Sequence, residues 1–182
     1  MKKWKVISSK DILKSKWYHL VSEKVETHNN NIIEDYYVHL ENDACAMIPV
    51  TSDGKFILVK QYKHGAQDFV LEFPAGYMDP GELPAQAAER ELKEEIGYIS
   101  GDIKYLGSFY PEPTKTRTKL HYYLVTNTKM GASQHLDSTE QIEIITLNKQ
   151  ELLAKIQNGE INSVDTVAAV FLAFSELNIT AV

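Results

Sequence analysis

The 182-residue chain has one cysteine, Cys45, so no internal disulfide can form. Set among Ala44, Ala46 and Met47, that thiol reads as a buried strand residue rather than a reactive one. Arginine is nearly as scarce, with only Arg90 and Arg117. The remaining positive charge is lysine, so any forked grip on phosphate must come from those two residues. Basic charge does not dominate either. Lys and Arg number 19 against 25 Asp and Glu, a formal net charge of -6, which argues against a nucleic-acid or membrane-surface role. No apolar run is long enough to cross a bilayer, a span of roughly 20 residues. The first residues are charged and lack the apolar core of a secretory leader, so the expected compartment is the cytoplasm. The six histidines (His19, His28, His39, His64, His121 and His135) show no metal-ligand spacing and read as structural or surface groups.

What the chain does have is concentrated in Gly76 to Tyr98. This is a glycine-rich loop feeding a short helix. Pro84 suits a first helical position, where its missing N–H costs nothing, and Gly97 is placed as the stop. Between them Ala88, Leu92 and Ile96 recur every four residues as an apolar stripe. Glu91 and Glu95 are also four apart, so their carboxylates share a neighbouring face, with Glu94 and Arg90 beside them. Like charges so placed repel by a few tenths of a kcal/mol per pair (roughly) in water. A bound cation reverses that sign, and oxygen-only ligands suit Mg2+ or Mn2+.

Along the chain, the runs from Trp17 to Thr27 and from Ile32 to Leu40 predict a hairpin turning at His28 to Asn31, with Ala44 to Val50 a candidate third strand. Ser52-Asp53-Gly54-Lys55 predicts a tight hairpin into a strand at Phe56 to Gln61. Phe69 to Phe73, Ile103 to Phe109, Leu120 to Thr126 and Ile142 to Leu147 predict further strands. Tyr110 to Lys119 and Asn127 to Thr139 read as polar loops. Asn148 to Gln157 and Asn162 to Leu177 predict helices, the second with Val164, Val167, Ala168, Phe171 and Phe174 on its inner side. Strands around a central helix with a C-terminal helix give an α/β class, an α/β/α sandwich with a mixed sheet and an N-terminal β extension. The predicted domains are 1–43, the extension, and 44–182.

The Gly76–Tyr98 stretch resembles the Nudix box, G-x5-E-x7-R-E-U-x-E-E-x-G-U with U aliphatic. Gly76, Glu82, Arg90, Glu91, Leu92, Glu94, Glu95 and Gly97 fall on its positions; Tyr98 departs at the last. The resemblance implies the same sandwich over roughly residues 44 to 177. Flanking segments resemble the ADP-ribose and nucleoside-diphosphate-sugar pyrophosphatases of that family. They are Glu72-Phe-Pro-Ala-Gly76, Lys60-Gln-Tyr-Lys-His64, Leu106-Gly-Ser-Phe-Tyr-Pro-Glu-Pro113 and Gly159-Glu-Ile-Asn-Ser-Val-Asp-Thr166. Lys63 stands in for an arginine, Thr114 for a glycine, and Thr118 for an acidic residue. These departures widen the expectation from ADP-ribose to nucleoside diphosphate sugars in general.

The resemblance also implies roles. Glu91, Glu95 and the backbone carbonyl of Ala75 would hold the metal ion, Mg2+ or Mn2+. Glu94 would share a metal or stand behind it, and Arg90 would orient carboxylates by pairing with Glu82 or Glu94. The catalytic base would come from the loop before the last strand, as Glu140 with Asp137 in reserve. Lys63, Glu112 and Arg117 are candidate substrate contacts, the alternative for each being an ordinary surface role. Trp17 and Tyr36 of the extension are candidates to stack on the base, and the extension itself would exchange between two subunits of a homodimer. The expected function is hydrolysis of the pyrophosphate bond of nucleoside diphosphate sugars such as ADP-ribose and ADP- or GDP-linked sugars. Two readings stand beside it: a Nudix hydrolase acting on nucleoside triphosphates or dinucleoside polyphosphates, and a non-catalytic module that binds ADP-ribose.

Overall fold

The central strands are near-continuous apolar runs, as at 44–49 and 56–59, and because successive side chains in a strand face opposite ways such runs are buried on both faces. The computed structural model, which describes residues 1–16, 18–99, 101–131 and 133–180, forms two compact units. One is Met1–Asp43 with Phe109–Lys119; the other is Ala44–Ser108 with Leu120–Val182.

The first unit is an antiparallel three-stranded sheet in chain order, β1 (Lys5–Lys14), β2 (His19–Glu26) and β3 (Ile32–His39). β1 went unpredicted because its residues, Lys5 to Lys14, are mixed polar and apolar and all exposed. Among the described residues its ladder partner is β2, and that pairing is interrupted by register shifts. Asn30, at φ 62, closes the turn between β2 and β3. Glu23 is 4% exposed among Val21, Val25 and Val38. Both of its oxygens accept from Arg117 Nη2, at 2.9 and 2.7 Å, so a residue from the 109–119 loop neutralises a buried charge in β2.

The second unit holds three sheets, the smallest an antiparallel pairing of β8 (Tyr98–Ile99) with β11 (Lys129–Met130). A mixed four-stranded sheet runs β7 (Ala75–Tyr77), β4 (Ala44–Pro49), β10 (Leu120–Thr126), β9 (Asp102–Phe109), with β10 parallel to β4. An antiparallel three-stranded sheet runs β12 (Ile142–Leu147), β5 (Phe56–Lys63), β6 (Asp68–Glu72). Each strand splits its side chains between two cores. Ala46 and Ile48 of β4, Phe56 and Leu58 of β5, and Tyr122 and Leu124 of β10 pack with α2 (Lys149–Gln157) and α3 (Val164–Glu176). Cys45 and Met47, Ile57 and Val59, and Tyr123 and Val125 pack with Ala88, Leu92 and Ile96 of α1 (Pro84–Ile96). Helices therefore cover both faces, the sandwich the sequence predicts.

Three expectations are corrected. Thr51 to Lys55 does turn at Asp53-Gly54, but Val50–Phe56 is only an isolated bridge. β4 already has β7 and β10 on its two edges, so β5 leaves for the other sheet. For the same reason Ala44–Pro49 is not a third strand of the N-terminal sheet; β1 is. On α3 the buried residues are Thr166, Ala169, Val170, Ala173 and Phe174, whereas Val164 and Phe171 are 80% and 73% exposed. That helix is apolar on most sides, so periodicity alone does not choose its inner face; the small residues Ala169 and Ala173 fit against the strands.

Candidate active site

α1 begins at Pro84 and ends where Gly97 takes φ 62 and returns its N–H to Lys93 O. Its apolar stripe is buried, which fixes the rotation of the helix and turns Glu91 and Glu95 toward β7. Glu95 is 4% exposed, and its Oε2 accepts from the N–H of Ala75 at 3.1 Å. Burial, then the charge of Glu91, push its carboxyl up to about 8, against the opposing pull of Lys63 and the Ala75 N–H. Burial also raises Glu91, opposed by Arg90. Glu140 adds its charge to both.

Gly76 explains why Glu91 can lie against the β7 backbone. A Cβ placed there would fall 2.1 to 2.5 Å from the Glu91 carboxylate atoms, inside any tolerable contact. Arg90 then ties the loop to the helix. Its Nε and Nη2 donate to the two oxygens of Glu82 at 3.0 and 2.9 Å, Nη2 donates to Tyr77 O at 3.1 Å, and Nη1 donates to Glu91 at 2.6 Å and Glu94 at 3.2 Å. Glu82 in return accepts from the N–H of Asp79, and Arg90 holds its carboxyl below the usual range. Arg90 is thus committed to carboxylates and a carbonyl.

Glu91, Glu95 and Ala75 line a cavity of about 420 Å3 together with Lys63 and Glu140. Glu94 and Asp137 do not line it; Asp137 donates its N–H to Glu140 Oε2 at 3.0 Å and so holds that side chain in a tight turn. The loop carrying Glu140 is fastened to the end of α1: Gln134 Nε2 donates to Glu95 O at 2.6 Å, and His135 N to Glu94 O at 2.9 Å. Lys63 is paired with Glu72 at 3.1 Å, and Gln61 also donates to Glu72. Sequence reasoning gave Glu72 no role although it lines the cavity, as do Ser163, Asp165 and Thr166 at the start of α3. The only signal for them was their place in the flanking segments.

Among the described residues, no three His, Cys, Asp or Glu side chains are already gathered as a metal-binding group. Two clustered carboxylates and a neighbouring backbone segment, with a glycine keeping the approach open, nonetheless form an oxygen-only donor set that suits a hard divalent cation completed by water or substrate oxygens.

The remaining candidates belong to the first unit. Tyr36 donates its hydroxyl to Thr114 O at 2.6 Å, Glu112 pairs with Lys115 at 2.9 Å, and Arg117 is engaged by Glu23. Tyr36 and Arg117 line a cleft of about 210 Å3 with Trp4, whose ring meets Tyr36 edge-on at 6.0 Å. Trp17 lies outside the described residues.

Comparison with known proteins adds the family. Residues 41–167 match the NUDIX domain, and residues 4–39 match the nucleoside diphosphate sugar hydrolase N-terminal domain. The chain is 29% identical over 167 residues to an ADP-ribose pyrophosphatase of Bacillus subtilis (strain 168), covering 91% of this chain and 90% of that one. It is 30% identical, over the same shares, to a methanol dehydrogenase activator of Bacillus methanolicus. A crystal structure of an ADP compounds hydrolase superposes with a TM-score of 0.86 over 98% of this chain and 96% of that one, at 23% identity, and shares its fold.

Proposed function

The chain belongs to the Nudix family of hydrolases, and from that premise we propose that it cleaves the pyrophosphate bond of nucleoside diphosphate sugars with Mg2+ or Mn2+, releasing a nucleoside monophosphate and a sugar phosphate. The observation that carries this reading is the pair Glu91 and Glu95, held by α1 in a cavity with Lys63 and Glu140. The names of relatives, ADP-ribose pyrophosphatase and ADP-sugar pyrophosphatase, support the substrate class.

Glu91, Glu95 and the Ala75 carbonyl are the proposed metal ligands. A divalent cation bound there would neutralise diphosphate charge and acidify a water. Arg90 positions Glu91 and Glu94. Glu140 is the proposed base, because it reaches the cavity and Asp137 does not; it takes the proton of the attacking water. Lys63 places a positive charge beside the diphosphate oxygens, held in position by Glu72. Tyr36, Glu112 and Arg117, with Trp17, remain candidate contacts for the nucleoside. The cytoplasm is the proposed compartment; among the described residues no helix is long and apolar enough to cross a membrane.

We read the chain as a homodimer through its N-terminal sheet, where Trp4, Val6, Ile7, Ile12, Leu13 and Tyr37 are exposed. One preparation tests both statements. Chelator-stripped protein given Mg2+ should hydrolyse ADP-ribose, ADP-glucose or GDP-mannose well ahead of dGTP and a dinucleoside polyphosphate, and light scattering should give twice the chain mass. Preference for dGTP or the polyphosphate would favour the other hydrolase class. Tight ADP-ribose binding without turnover would favour a binding module, and a monomeric mass at micromolar protein would remove the dimer.

A further inference from the structure

Glu140 lines the cavity, yet the segment that carries it, residues 133–141, has a single turn and no strand or helix of its own. Its placement has to come from what it is tied to. Three ties end on the C-terminal end of α1: Gly131 N–H donates to Gly97 O at 3.2 Å, Gln134 Nε2 to Glu95 O at 2.6 Å, and His135 N–H to Glu94 O at 2.9 Å. Leu136 packs against the core that holds Leu92 and Ile96. A helix leaves its last carbonyls without donors from its own turns. Gly97 N–H serves Lys93 O, and this segment serves the next two carbonyls. The negative end of the helix dipole favours such donors.

Glu95 is also the residue whose side chain is a proposed metal ligand. The Gln134 amide therefore links the backbone of that ligand to the segment of the proposed base. Beyond it the turn closes: Glu140 N–H donates to Asp137 O at 2.9 Å, and Asp137 N–H donates to Glu140 Oε2 at 3.0 Å. One anchor, His135 N–H, would hold the chain near α1 but leave it free to swing. A second donor on the adjacent carbonyl fixes the direction in which the chain leaves the helix, and so where Glu140 arrives. Gln134 is exposed, so removing its side chain cuts this tie without opening a hole in the core. We infer that Gln134 is a positioning residue for the hydrolysis: by gripping Glu95 O it sets the Glu140 carboxylate against the water to be activated between Glu91 and Glu95. This rests on the pyrophosphatase reading above and on Glu140 as its base.

The test is a double-mutant cycle on ADP-ribose turnover with Mg2+ saturating, using Gln134→Ala, Glu140→Gln and the pair together. Gln134→Ala should lower kcat about 10-fold or more, the scale of a misplaced catalytic group, with KM within about 2-fold of wild type. Gln134→Glu, which keeps the shape but loses the donor, should do the same. Glu140→Gln should lose about 100-fold, and adding Gln134→Ala to it should cost less than about 2-fold more. Two readouts are independent of turnover. Amide hydrogen exchange across 135–140 in the metal-free chain should quicken in Gln134→Ala, and Mn2+ affinity measured by calorimetry should stay within about 2-fold. Wild-type kcat in Gln134→Ala, the same loss in both backgrounds, unaltered exchange, or a fall in Mn2+ affinity that matches the fall in kcat each overturns the inference and leaves the pyrophosphatase reading intact. Wild-type turnover in Glu140→Gln overturns the base assignment and the inference with it. A wild type that hydrolyses no nucleoside diphosphate derivative overturns the pyrophosphatase reading as well.

Discussion

Glu95 sits where a carboxylate is costly: it is 4% exposed, beside Glu91, with one backbone N–H as its hydrogen-bond donor. Its folded-state pKa, about 8, lies above the ordinary value of 4.5. The ionised form is therefore disfavoured by folding, and the metal-free protein loses stability as pH rises from about 4.5 to about 8. Glu95→Gln keeps the acceptor for Ala75 N–H and removes the charge. In chelator at pH 8 the variant should melt a few °C (roughly) above wild type, with the gap closing toward pH 5. Equal melting at both pH values would mean that Glu95 is better solvated than its burial implies. The pairing of Glu91 with Glu95 was legible in the sequence, because helical spacing alone places them on one face. The clash that would follow from any side chain at position 76 was not, since it arises from the approach of β7 to α1.

Elements differ in how far their own sequence specifies them. α1 carries its start, its stop and its buried stripe within 14 residues, Pro84 to Gly97, and its structure follows those signals. α3 does not, because nearly every side is apolar and the strands decide which side goes in. As a result Val164 and Phe171 face outward while Thr166 faces the cavity. The 109–119 loop is a further case. Its proline-led sequence predicts a loop but not that Arg117 would reach β2 and neutralise Glu23. Arg117→Ala leaves that glutamate buried without its partner and should lower stability by about 2 kcal/mol in denaturant unfolding. An unaltered unfolding midpoint with a raised KM would make Arg117 a substrate contact instead.

At the scale of the whole molecule, the sequence carried the class of fold because β4, β5 and β10 are apolar runs buried on both faces and α1 has one side to bury. It did not carry strand order. A turn such as Thr51–Lys55 looks the same whether its strands pair with each other or, as here, leave for different sheets. The candidate site depends on that order. β7 beside β4 brings Ala75 to Glu95, while β5 and α3 bring Lys63 and Thr166 to the same cavity. The central claim is that α1 offers two carboxylates to a divalent cation at a diphosphate, and its most direct test is turnover of ADP-ribose by chelator-stripped wild type, Glu91→Gln and Glu95→Gln across a Mg2+ titration. The wild type should show no turnover without Mg2+ and full recovery on adding it, with a loss of at least about 100-fold in each variant that stays folded. Variants that keep wild-type turnover at the same Mg2+ concentration would contradict it.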